Sequence, residues 1–463
     1  MLKTVQIHAI INPVLMSLAF ICCSGGSDSQ TSQCQTEDNQ KPCEDGNLCT
    51  LGDYCLDGEC ISGTPKSCDD SDPCTKDECN PADSQCTHQD CGLNASCKDG
   101  SCVCDQGYSG DGFDCENKCP NASCDPGEDY SICPQDCDFD LVLVVEESIH
   151  NSIQTRLEQY IAAVALDSKK VYVISFSLGG VNALKNILLE QFQQYGIEGA
   201  FLIGDLPYAE YEDTDYGQQF PCDIYLMDLD QSWTDSDGNG KLDGNPRSPL
   251  EIFISRIIGT SDEINKYFAK AHQYRTTGSL VSEEALVFMD SHTCDEPCYF
   301  GLDWIYSKTD FIDSFVERYT PEEYIERLSQ ETEYVAQWIH STSTYLQLSG
   351  GTVTIQDIED NNFKGSFYLL NNGSASRFTE QNLAMTYLLK TDYGLATFGM
   401  TGVGILMDWY GIRHESLSIG ENWGTAFLRW FNEFIVVETE VEVPLVAVIL
   451  GDPLLTIFED NDL

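Results

Sequence analysis

Basic residues are scarce: 24 Lys and Arg stand against 76 Asp and Glu, giving a net charge of −52. A surface so acidic repels phosphate backbones and anionic headgroups, which argues against nucleic acid as a partner. Long apolar runs are missing after residue 23, so no later segment reads as a membrane-spanning helix. Cysteine nearly stops after Cys137: of 23 in the chain, only Cys222, Cys294 and Cys298 lie beyond it. Among the earlier cysteines there is no histidine cluster of the kind a zinc site needs, and large apolar residues are few. Segments so poor in core material rely on disulfides, which form in an oxidising compartment.

What the N-terminus does contain agrees with export. Lys3 precedes an apolar run from about Ile10 to Cys23, too short to span a bilayer, and residues 1–23 read as a signal peptide. Cys22-Cys23-Ser24-Gly25-Gly26-Ser27 resembles a lipoprotein start followed by a flexible tether over 24–33, which makes Cys22 and Cys23 the candidate lipid anchors. The expected location is the cell envelope or surface, with secretion as the alternative.

Eighteen cysteines lie between Cys34 and Cys137, an even number consistent with full pairing. Over 34–85, Cys43-Glu-Asp-Gly-Asn-Leu-Cys49-Thr recurs 25 residues later as Cys68-Asp-Asp-Ser-Asp-Pro-Cys74-Thr, the mark of small modules in series. Residues 86–115 resemble an epidermal-growth-factor-like module, and that resemblance implies the pairs Cys86–Cys97, Cys91–Cys102 and Cys104–Cys115. A last small module occupies 116–137.

From 138 to 463 the pattern changes to alternating strands and helices. Leu141–Val145 is a buried-type strand, Ile153, Leu157, Tyr160, Ile161 and Val164 follow at helical spacing, and Val171–Phe176 is again strand. A second helix runs through Val181, Leu184, Ile187, Leu188 and Phe192 to a strand at Ala200–Ile203. Such alternation predicts a mainly parallel α/β sheet with helices on both faces. Apolar segments at Ile224–Met227 and Ile252–Ile257 continue it, as do strands at Leu286–Met289, Tyr334–Ile339 and Leu395–Phe398. Thr260 with Glu263, and Thr320-Pro321 with Glu323, are helix starts. The length allows two similar lobes.

The stretch Gly365–Glu380, GSFYLLNNGSASRFTE, joins a strand at Phe367–Leu370 to an Asn371-Asn372-Gly373 turn. Its Phe367, Tyr368, Leu370, Ser374, Ala375, Arg377, Phe378 and Thr379 resemble the nucleophile segment of the gingipain-type cysteine peptidases, a caspase-like family. Gly204-Asp205-Leu206-Pro207, Glu251 to Arg256 (with Ser255 where the family has glycine), Phe398-Gly399-Met400-Thr401, Gly424-Thr425-Ala426-Phe427 and Gly451-Asp452-Pro453 resemble further landmarks of that family, in order. The resemblance implies the caspase-like fold, a nucleophilic cysteine at position 373 and a general-base histidine at His340. Position 373 is glycine.

A cysteine peptidase needs a thiolate, a base for its proton and backbone donors for the oxyanion. Gly373 supplies no thiolate, and Ser374, one step along, points its side chain elsewhere. Cys222 lies far from the expected site, and Cys294 and Cys298 in Cys-Asp-Glu-Pro-Cys are close enough to pair with each other. Backbone donors near Gly373, Ser374 and Ser341 could still hold a peptide carbonyl or carboxylate. The leading expectation is therefore non-catalytic binding of a protein or peptide. The alternatives are an active peptidase with a displaced nucleophile such as Ser374 and His340 as base, and a structural adhesin.

One further motif concerns calcium. Asp235, Asp237, Asn239, Lys241 and Asp243 occupy positions one, three, five, seven and nine of a calcium-loop pattern, with a glycine at six. Pro246 stands where the bidentate glutamate of a full helix-loop-helix hand belongs, so any ion there needs ligands from elsewhere.

Overall fold

A computed structural model describes residues 34–105, 108–117, 139–214, 216–278, 280–289, 301–307, 309–313, 320–404, 411–437 and 444–457. Cys22, Cys23, the cysteines of 119–137, Cys294 and Cys298 lie outside the described residues. The chain divides into two compact units between Asn117 and Lys118.

In the first unit the 25-residue repeat is a repeat of turn chemistry. The Asp45 carboxylate accepts Asn47 N at 2.8 Å and the Thr50 hydroxyl at 3.4 Å. Its counterpart Asp70 accepts Asp72 N at 2.8 Å and the Thr75 hydroxyl at 3.1 Å. Three hairpins follow one another, and each sets two cysteines directly opposite across its strands: Cys55 and Cys60, Cys79 and Cys86, Cys97 and Cys102.

Seven disulfides join the described cysteines: Cys34–Cys55, Cys43–Cys60, Cys49–Cys79, Cys68–Cys86, Cys74–Cys97, Cys91–Cys102 and Cys104–Cys115. The expected Cys91–Cys102 and Cys104–Cys115 pairs are present, but Cys86–Cys97 is not. Cys86 belongs to the second strand of a hairpin of its own and closes onto Cys68, as Cys60 does onto Cys43. That leaves Cys97 for Cys74 of the preceding repeat.

The second unit is built on a sheet of ten described strands: β1 (Leu141–Glu146), β2 (Val171–Phe176), β3 (Gly199–Ile203), β4 (Phe253–Ile257), β5 (Ala285–Met289), β6 (Thr309–Asp313), β7 (Thr332–Trp338), β8 (Gly365–Leu370), β9 (Ala396–Met400) and β10 (Ala447–Gly451). Their order is β2-β1-β3-β4-β10-β9-β8-β7-β5-β6. Every neighbouring pair is parallel except β9 with β10, so two parallel blocks run in opposite directions and meet at that pair. The two lobes allowed by length are thus halves of one sheet. All positions of β3, β4, β7, β8, β9 and β10 are buried, as strands covered on both faces must be.

Helices α1 (Glu147–Leu166), α2 (Val181–Tyr195), α3 (Ser261–Thr277), α4 (Pro321–Leu328), α5 (Leu383–Lys390) and α6 (Trp423–Val437) supply the cover. Both expected helix starts are capping boxes, Thr260 with Glu263 and Thr320 with Glu323. Ile224–Met227 does not continue the strand pattern: it is a single buried helical turn. A four-residue apolar run suits either state, and its burial is decided by the surrounding core.

Two buried ionic centres explain family-like landmarks. Arg256 and Asp223, both fully buried, pair through two contacts of 2.7 Å, and the guanidinium also donates to the carbonyls of Leu206 and Pro207. Asp452 accepts the Tyr160 hydroxyl at 2.7 Å, Arg275 Nη2 at 2.7 Å and Leu454 N at 3.0 Å. Gly451 before it has φ +96°, and a Cβ there would lie 2.3 Å from the Leu395 carbonyl oxygen, so glycine is required.

Candidate functional site

The carboxyl ends of β7, β8 and β9 carry His340, Gly373 and Thr401 on consecutive loops, the place where parallel α/β sheets present their chemistry. The turn after β8 is anchored from below. Asn371 N donates to the Gln337 carbonyl at 3.0 Å, and buried Asn372 donates its amide to the Gln337 side chain at 3.3 Å. Gln337 in turn donates to the Tyr324 hydroxyl, which lies 3.2 Å from that of Tyr387. None of these supports was apparent in sequence, because each joins residues on different elements.

Gly373 and Ser341 are brought together: the Ser341 hydroxyl donates to the Gly373 carbonyl at 2.7 Å. A Cβ built on Gly373 would meet nothing nearer than 3.9 Å, its closest neighbours being the Ser341 carbonyl oxygen and Val403. Neither packing nor backbone conformation therefore demands glycine at this position. Among the described residues, the N–H groups of Gly373 and Ser341 have no acceptor.

Ser374 differs from expectation in one respect. Its N–H is committed to the Gly402 carbonyl at 2.9 Å, so it is not a spare donor for a bound carbonyl. Its φ of +60° is the left-handed conformation that lets the chain reverse directly after Gly373. His340 is exposed; its carbonyl accepts Gln347 N at 2.7 Å, and its imidazole makes no hydrogen bond among the described residues. Cys222 is fully buried at the end of a hairpin strand, and burial pushes its thiol up to about 12, so it offers no thiolate.

A hairpin of Ala209–Asp213 and Gln218–Cys222, unanticipated from sequence, lies against the same loops. Gln218 exchanges two hydrogen bonds with the Val403 backbone, at 2.8 and 2.9 Å, and Arg377 donates to the Gln219 carbonyl at 2.8 Å. Val403 and Tyr216 stay exposed there. The Arg256 guanidinium sits 4.8 Å over the Phe378 ring, tying the loop after Gly373 to the buried ion pair. A cavity of about 720 Å³ lies along α5, lined by Leu206, Ile258, Phe378, Met385 and Glu263 among others; His340, Ser341, Gly373 and Ser374 do not line it.

In the loop from Asp235 to Asp243 the carboxylates face their own backbone. Asp235 accepts Gly238 N at 2.8 Å, Asn239 N at 3.1 Å and Gly240 N at 2.9 Å, Asp237 accepts Asn239 N at 3.0 Å, and Asp243 accepts Ser236 N at 2.8 Å. Asn239 donates to Glu212 on the neighbouring hairpin at 2.8 Å, which brings a further carboxylate to the loop. The Lys241 carbonyl is the backbone oxygen of the pattern, while its ammonium turns away to Gln219.

No protein-family model matches the sequence, and no curated protein does. Solved structures do match. One is the Arg-specific cysteine proteinase gingipain R (RgpB), at 13% identity and a TM-score of 0.53, over 70% of this chain and 79% of that one. A second is the complex of the Porphyromonas gingivalis RgpB pro- and mature domains, at 12% identity and a TM-score of 0.52, over 69% and 79%. At such identity the likeness speaks to architecture: this chain carries a gingipain-like, caspase-like α/β fold behind a disulfide-rich N-terminal unit.

Proposed function

We propose that this is an exported, surface-anchored protein whose gingipain-like site binds protein or peptide segments without cleaving them. The observation that carries the reading is the state of position 373: there is room for a side chain and none is present, while among the described residues the N–H groups of Gly373 and Ser341 have no acceptor. Loss of the thiol removes covalent catalysis but leaves a place for a carbonyl or carboxylate. Seven disulfides fit an extracellular setting, and lipid attachment at Cys22 or Cys23 would supply the anchor. Calcium held by Asp235, Asp237, Asn239, the Lys241 carbonyl and Asp243, with Glu212 adjacent, would brace the hairpin beside the site.

The test is a diverse peptide library presented to the purified protein and to Gly373→Cys, scoring both capture and cleavage. Capture without cleavage by the native protein, and cleavage by the variant, is the expected result. Native cleavage that disappears in His340→Ala would replace the proposal with an enzyme using a displaced nucleophile such as Ser374. Absence of both capture and cleavage in either protein would leave a structural adhesin as the reading.

A further inference from the structure

We propose that the disulfide-rich unit is a force-carrying tether whose reach is limited by two covalent rails. Each interior repeat has two bonds, and they follow a rule. One bond closes a hairpin onto a cysteine at the start of its own repeat, as in Cys68–Cys86 and Cys91–Cys102. The other joins that repeat to the next, as in Cys49–Cys79 and Cys74–Cys97. Stabilising each small hairpin needs only the first kind. The second kind adds a covalent route from repeat to repeat, parallel to the one that the first kind forms with the intervening backbone.

Pulled from Cys34 to Asn117, the unit can extend only along its shortest covalent route. One rail crosses Cys34–Cys55, runs six residues back to Cys49, crosses to Cys79, runs five back to Cys74, crosses to Cys97, and goes seven forward to Cys104 and over to Cys115. With the last two residues that is 20 residue steps and four bridges, against 83 steps for the unbridged chain. The other rail leaves Cys55 for Cys68, crosses to Cys86, continues to Cys91, crosses to Cys102 and reaches Cys104, in 22 steps with the same number of bridges. At about 3.6 Å per extended residue and about 5.5 Å per bridge, the two limits are about 95 and about 100 Å, whereas the reduced chain reaches about 300 Å. Loss of one interior bond therefore leaves the reach almost unchanged.

Single-molecule pulling on the full chain, with handles just before Cys34 and just after Asn117, tests this. The oxidised unit is expected to stop near 95 Å and to gain about 200 Å when reductant is added. Replacing Cys74 and Cys97 by Ser should lengthen the limit by less than about 10 Å, because the second rail takes over. Replacing Cys74, Cys97, Cys91 and Cys102 together should lengthen it by about 40 Å, since both rails are then cut at the same repeat. An oxidised limit well beyond 100 Å, or a Cys74/Cys97 variant already lengthened by tens of ångströms, would overturn the proposal. The native oxidised and reduced measurements decide it even where a variant fails to fold.

Discussion

Ser341 donates its hydroxyl to the carbonyl of Gly373 at 2.7 Å, linking the loop after β7 to the turn after β8. With the Asn371 and Asn372 bonds to Gln337, it ties together the two loops that carry the backbone donors of the site. Ser341→Ala is expected to cost about 1 kcal/mol in urea unfolding and to weaken peptide capture, because the Gly373 carbonyl loses its only side-chain donor among the described residues. Ser341→Thr keeps a hydroxyl at the same place and is expected to retain most of the affinity, which a peptide titration of both variants would read.

The Arg256–Asp223 pair holds the entry of the hairpin that borders the site. With both side chains fully buried, Arg256→Met strands a carboxylate in the core, and the expected loss is about 3–5 kcal/mol in equilibrium urea unfolding. Arg256→Met with Asp223→Leu removes both charges and is expected to recover a large part of it. A loss below about 1 kcal/mol in the single variant would show that the pair does not organise this region.

Acid sensitivity has a specific source at the start of α3. Burial opposes ionisation of Glu263, but Lys390 at 2.6 Å and the N–H and hydroxyl of Thr260 more than reverse this and hold the carboxyl at about 2, against an ordinary 4.5. A carboxylate lowered on folding contributes its stability in full above the unfolded value and loses it as pH falls toward the folded one. Melting temperature should therefore drop between pH 4.5 and about 2, and Glu263→Gln should flatten that part of the profile while lowering stability at pH 7.

If the Asp235–Asp243 loop takes calcium, the ion binds the folded chain alone and stabilises it by mass action. Free calcium at 100 times Kd would add about 2.7 kcal/mol, visible as a higher melting temperature that a chelator reverses. Asp235→Asn with Asp237→Asn should abolish the shift. An unchanged melting curve for the native protein would remove calcium from the account.

Much of the second unit is legible in sequence. The strands anticipated over the Leu141, Val171, Ala200, Ile252, Leu286, Tyr334, Phe367 and Leu395 segments fall within two residues of those observed. β6 and β10 lie outside the segments that sequence marks as strand: Thr309–Asp313 mixes polar and apolar residues, and at Ala447–Gly451 the legible feature is the Gly-Asp-Pro at its end. At the candidate site, His340, Ser341 and Gly373 are singled out by a family-like pattern. Gln337, Tyr324 and the Gln218 hairpin were missed because nothing local marks a side chain whose partner lies on another element.

Near-neighbour chemistry accounts for the helical and strand periodicities, the Thr260 and Thr320 caps, the 25-residue repeat of aspartate-based turns, and a glycine where a strand ends. Each requires interactions spanning only a few residues, so residue order suffices. The reversal of direction between β9 and β10, the pairing of Cys86 with Cys68, the helical turn at Ile224–Met227 and the capture of the Ser374 amide by Gly402 arise from contacts between distant segments. In each, the local sequence permits more than one arrangement, and the choice falls to whichever one closes the core and satisfies its buried polar groups.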